Sequence, residues 1–119
     1  MTQLIANLGT GKGTWAYLKE LIDKYDWETI FLITNHFGAE NFAVEGKEIN
    51  FILIDDRKEL SDLVDAISAQ LKGRLSITDA AINLVSGTGK EHMALLTAVL
   101  NQGIGIRLIG LKHGKVEEI

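Results

Sequence analysis

The chain contains no cysteine and no proline. Without cysteine there is no disulfide scaffold, no thiolate nucleophile and no cysteine-ligated zinc, which suits the cytoplasm. The absence of proline says little by itself. No apolar run approaches the ~20 residues that a membrane-spanning helix needs. The opening stretch MTQLIANLG lacks a basic segment followed by a long apolar one, so neither a signal peptide nor a membrane partner is expected. Positive charge is also scarce. Twelve Lys and Arg against 16 Asp and Glu leave a net −4 at pH 7, which argues against wrapping duplex nucleic acid. A local positive site remains open, because a small phosphorylated ligand needs few donors and backbone amides can supply many of them. His36, His92 and His113 show no metal-ligand spacing with one another or with carboxylates, so no catalytic metal and no cofactor is expected.

What is present is a globular composition, 46% hydrophobic and 24% charged, at the length of one domain spanning residues 1–119. Residues 3–8 read as a strand. Residues 14–25 read as a helix with Trp15, Leu18, Leu21, Ile22 and Tyr25 on its apolar face and Thr14 as its cap. Branched residues make 29–34 a buried strand. A short helix is expected around Ala39–Val44, then a strand over 48–54. Residues 57–72 form an amphipathic helix, begun by Asp55 or Asp56 and closed by Gly73. A strand over Ala81–Val85, a helix over 91–102 and a strand over 104–111 follow. Lys112–Lys115 reads as a turn and Val116–Ile119 as a short antiparallel return, kept soluble by Glu117 and Glu118. This alternation predicts an α/β fold, a Rossmann-like doubly wound, mainly parallel sheet with helices on both faces.

The tetrapeptide GTGK occurs twice, as Gly9-Thr10-Gly11-Lys12 and as Gly87-Thr88-Gly89-Lys90. Each copy follows a predicted strand and precedes a predicted helix. In a doubly wound sheet strands 1 and 4 are central neighbours, and ligands bind outside their carboxyl ends. The two copies are therefore expected side by side. Glycine permits close approach to the backbone, free amides form an anion nest, and helix starts add positive dipole ends. Thr10, Thr88 and Ser86 offer hydroxyls, and Lys12 and Lys90 offer compact cations. Gly-rich corners also serve purely to turn the chain, so the pairing of the two copies carries more weight than either alone.

Neither copy is a Walker A loop. The first glycine of that pattern falls on Ala6 or Leu84, and the final hydroxyl on Gly13 or Glu91. The dinucleotide pattern fails as well, since its third glycine falls on Thr14 or His92. An ATPase and a nicotinamide dehydrogenase are thereby disfavoured.

The run Asn83-Leu84-Val85-Ser86-Gly87-Thr88-Gly89-Lys90, leading into an Ala/Leu-rich helix, resembles the turn after strand 4 in CARF domains, the Rossmann-like sensors of CRISPR-associated proteins. There the turn often reads N-x-[ST]-G-G-T-K or D-x-[ST]-x-x-x-[RK]; here it is one residue out of step with either. The resemblance implies a homodimer binding a cyclic oligoadenylate across its two-fold axis. Gly9, Thr10, Gly11 and Lys12 would line that site from strand 1, and Ser86, Gly87, Thr88, Gly89 and Lys90 from strand 4. Asn35 and His36, after strand 2, would reach a base or ribose.

Two versions stay open: a sensor, or a metal-independent ring nuclease in which the ligand's 2′-OH attacks the adjacent phosphate. In the second, Lys90 or Lys12 would stabilise the extra charge, Thr10 or Ser86 would hold phosphate or ribose, and His36 or His92 could act as base. The rival of another class is a generic nucleotide- or cofactor-binding or assembly module without catalysis. Asp55 and Asp56 could also meet a ribose or magnesium, although capping is the simpler expectation.

Overall fold

The computed structural model describes residues 2–119. Among the described residues, ten α-helices and β-strands follow one another along the chain. They are β1 (Gln3–Asn7), α1 (Trp15–Asp23), β2 (Thr29–Thr34), α2 (His36–Asn41), β3 (Asn50–Leu53), α3 (Leu60–Leu71), β4 (Ala80–Asn83), α4 (Gly89–Leu100), β5 (Ile106–Lys112) and β6 (Lys115–Glu118). The six strands form one sheet in the order β3-β2-β1-β4-β5-β6. β1 to β5 pair in parallel and β6 returns antiparallel on β5. The chain is thus an α/β protein whose sheet is mostly parallel. No helix among the described residues is long and apolar enough to cross a membrane.

Successive strand residues point to opposite faces, and both faces are apolar. Ile5, Ile33, Ile52 and Ile82 face α3 and α4, where Leu63, Ile67, Leu71, Ala94, Leu95 and Ala98 complete one core. Leu4, Ala6, Leu32 and Ala81 face α1, where Trp15, Leu18, Leu21 and Ile22 complete the other. Each fully buried Leu or Ile contributes about 1.5–3 kcal/mol relative to exposure. This double burial explains why the strands read as unbroken apolar runs rather than alternating ones.

Local chemistry moves several boundaries. A 3₁₀ turn over Lys12–Thr14 precedes α1, and Thr14 gives its helix no side-chain cap. Asn35 caps α2, its Oδ1 accepting from the Gly38 amide at 3.0 Å, so this helix starts three residues earlier than Ala39. Neither Asp55 nor Asp56 caps α3, because the N-cap position falls on Glu59. Asp55 instead turns back on the amide and guanidinium of Arg57. Thr88 and Glu91 form a reciprocal capping box, which starts α4 at Gly89 rather than residue 91. Tyr25 lies beyond the end of α1, 36% exposed, and packs on Trp27 instead of entering the core. His113 and Gly114, both with positive φ, make the tight turn between β5 and β6 that right-handed strand twist favours. Gly73 has φ +74° just past α3, as a helix terminator requires.

Candidate functional site

β1 and β4 lie side by side, with Ala6 opposite Asn83. Their following loops, far apart in sequence, therefore leave the sheet from adjacent strand ends. The link between them is Ser86, which is 1% exposed. Its Oγ accepts the Gly9 amide at 2.8 Å and the Thr14 hydroxyl at 2.6 Å. Trp15 Nε1 donates to the Gly9 carbonyl at 2.8 Å, fixing the other side of the same loop. His92 reaches back from α4, with Nε2 2.7 Å from the Ser86 carbonyl oxygen. Gly87 has φ +96°, and a Cβ there would stand 3.0 Å from Asn7 Cβ and 2.9 Å from Glu91 Oε1. Conformation and space both require glycine at this corner.

Between the loops is a cleft of about 340 Å³. Gly9, Thr10 and Gly11 line it from the first loop, and Ser86, Gly87 and Thr88 from the second. Gly13, Thr14, Val85, Glu91 and Asp56 complete the wall. Six of the candidate residues are thus brought together. Their hydrogen bonds within the chain differ, however. Ser86 is a latch between loops, and its buried oxygen already accepts two hydrogen bonds. The Thr88 oxygen accepts from the Glu91 amide at 3.3 Å, and the Thr88 amide donates to Glu91 Oε1 at 2.8 Å. Thr10 is exposed and its hydroxyl has no partner among the described residues.

Lys12, Lys90 and Gly89 do not line the cleft. Lys12 Nζ lies over the rings of Trp15 and Phe37, 5.5 and 5.7 Å from their centroids. Lys90 Nζ donates to the Lys58 carbonyl oxygen at 2.8 Å, tying the start of α4 to the segment after β3. Both contacts are at the surface. Gly89 is the first residue of α4.

Asn35 and His36 line a second, larger cavity of about 640 Å³ at the ends of β2 and β3, with Phe37, Leu53, Ile54 and Asp55–Arg57. The Asn35 oxygen is occupied by its cap, while His36 is exposed. At the rim, Arg57 grips Asp55 with Nε at 3.0 Å and Nη2 at 3.2 Å from its two oxygens. That two-point hydrogen bond is the main reason the Asp55 carboxyl is held below its ordinary pKa.

One residue of interest gave no signal as a ligand group. Asn7 closes β1 beneath Gly87, is 1% exposed, and has no hydrogen-bond partner for either amide atom. A buried unpaired polar group costs about 1–3 kcal/mol. Among the described residues, no group of three or more His, Cys, Asp or Glu side chains is placed to hold a metal ion. No protein-family model and no curated protein sequence matches this chain.

Proposed function

We propose that the chain is a Rossmann-like, doubly wound domain that binds a cyclic oligoadenylate as a homodimer, as its resemblance to CARF domains implies. The observation that carries this reading is the meeting of the two GTGK-bearing loops at adjacent strand ends, joined through Ser86. The strand order supports the doubly wound part. From β1 the chain steps outward to β2 and β3, then resumes on the opposite side of β1 with β4 and β5. A crevice at such a reversal is where open parallel sheets bind ligands. Phosphate is the class of group that suits this crevice. α4 begins there with its positive dipole end, and the glycines leave the backbone approachable.

A cleft of about 340 Å³ suits one phosphodiester and its neighbours, whereas a ring of several nucleotides needs the same cleft from a second copy. α4 runs away from the cleft and exposes Met93 and Leu100, two turns apart, with Leu96 partly buried between them. That apolar stripe is the face we assign to the second copy.

Of the two versions, binding without cleavage is the better supported. Ser86 is committed to the latch, and neither lysine reaches the cleft. The test is direct. Titration with cyclic tetra- and hexa-adenylate should give saturable binding and raise the melting temperature. Failure of every ring size ends the proposal. Linear products formed in EDTA, and lost in Lys90→Ala with its fold intact, would establish the nuclease version instead.

A further inference from the structure

We infer that the larger cavity is the nucleoside half of a ribonucleotide site, in which Asp56 reads the sugar hydroxyls. The inference rests on the reading that the loop cleft takes phosphate. Asp56 is the one residue, among those described, that lines both cavities. It therefore stands where a phosphate held by the loops would join whatever occupies the larger space. It is half-buried, and it takes no hydrogen bond or ion pair from any described residue. Asp55 beside it is committed to Arg57.

A carboxylate at the edge of an anion site is a discriminating element. It repels phosphate, and an ionised carboxylate can only accept hydrogen bonds. A ligand spanning both cavities is compatible with it when the ligand presents a donor at that point. A ribose does so with its hydroxyls, within a few bonds of the 5′-phosphate. A sugar lacking those hydroxyls leaves the carboxylate desolvated and unpaired, which is how a polar site rejects an analogue.

The cavity beyond Asp56 suits a nucleobase. Its volume of about 640 Å³ lies within the range of small-molecule sites. Its wall combines apolar Leu53 and Ile54 with polar Asn35 and His36. Phe37 lines it, 44% exposed, an aromatic ring of the kind on which bases stack, with the Lys12 ammonium 5.7 Å from its centroid. Trp15 backs its ring at 6.1 Å between centroids.

Calorimetric titrations of the wild type and Asp56→Ala with AMP, 2′,3′-dideoxy-AMP and pyrophosphate test this. The wild type should bind AMP at least about tenfold more tightly than the dideoxy compound, the usual weight of a hydrogen bond to a charged group. Asp56→Ala should bind AMP more weakly and the dideoxy compound more tightly, because an acceptor and a repulsive charge leave together. A merely structural role would move both affinities the same way. Phe37→Ala should weaken both nucleotides while keeping the preference between them. Equal binding of the two nucleotides by the wild type, or a preference that survives Asp56→Ala, overturns the assignment. Pyrophosphate binding without nucleotide preference leaves the phosphate cleft standing and removes this inference alone. If pyrophosphate and both nucleotides all fail, the cleft reading falls with it.

Discussion

Replacing Ser86 by alanine separates a structural latch from a ligand hydroxyl. Ser86 Oγ accepts from the Gly9 amide and the Thr14 hydroxyl and is buried. Alanine removes the acceptor and adds nothing in its place. The half-buried Thr14 hydroxyl can turn to water at small cost. The amide of half-buried Gly9 loses its partner. A lost hydrogen bond of about 0.5–1.5 kcal/mol plus partial desolvation of the orphaned amide gives a destabilisation of about 1.5–3 kcal/mol. At about 2.1 cal/mol/K per residue, the unfolding entropy of this 119-residue chain is about 0.25 kcal/mol/K. The ligand-free melting temperature should therefore fall by about 6–12 °C. Calorimetry measures the global change, and amide exchange at Gly9 and Thr10 detects any part spent on local opening of the loops. Thr14→Ala should cost less, about 0.5–1 kcal/mol, and the double variant should show coupling because both residues share one oxygen. A Ser86→Ala protein with an unchanged melting temperature and unchanged Gly9 exchange would refute the latch and return Ser86 to the pool of free ligand groups.

Three further outcomes follow from the packing and the charges. Gly38→Ala places a methyl group against the Thr34 side chain, with Leu8 Cδ2 at 3.3 Å, and should destabilise by about 1–3 kcal/mol in denaturant unfolding. Thr88→Ala opens the capping box of α4 and should cost about 1 kcal/mol by the same measurement, with Glu91→Ala giving a similar loss and little additivity between them. Asp55 should titrate below the ordinary carboxylate range by NMR, and Arg57→Ala should raise it toward that range, the bond from the backbone amide of residue 57 remaining. Because its folded pKa is depressed, the contribution of this pair is present above the unfolded value and is lost as pH falls through the folded one. Both groups are at the surface, so the slope of stability in that acid window should change only slightly.

Element type was legible in the sequence wherever burial is two-sided or strongly one-sided. β2 is TIFLIT from end to end, and α3 keeps Leu63, Ile67 and Leu71 on one face. The adjacency of the GTGK loops was also legible, because the usual doubly wound strand order places β4 against β1, as the sheet does. Helix starts were harder. Asp55 carries a capping residue type but meets Arg57 two residues later, and a guanidinium competes for the carboxylate that a helix start would use. The pattern Thr88-x-x-Glu91 is a capping-box signal in its own right, hidden when Thr88 is read as a ligand hydroxyl. The burial of Ser86 was not legible at all. It depends on the register that sets Ala6 against Asn83, and on how far each loop travels before turning. The positions of Lys12 and Lys90 were equally beyond a linear reading. A long side chain chooses among surface partners, here two aromatic rings and one carbonyl oxygen, that belong to distant segments.

The Gly9–Ser86 bond joins residues 77 positions apart. During synthesis β1 emerges first, yet one of its edges stays open until β4 has left the ribosome, and the cleft cannot assemble before then. Contacts of such sequence separation close late and slow the folding of parallel sheets. β2 and β3 can dock earlier on the other edge of β1, leaving a half-sheet with an exposed apolar strand. A chain cut short before residue 80 would keep the first GTGK copy but lose the second and the strand that positions it. Assembly of the cleft is thus a report on one docking event: it requires the chain through Glu91 and the pairing of β4 with β1, and no intermediate that lacks that pairing can form it.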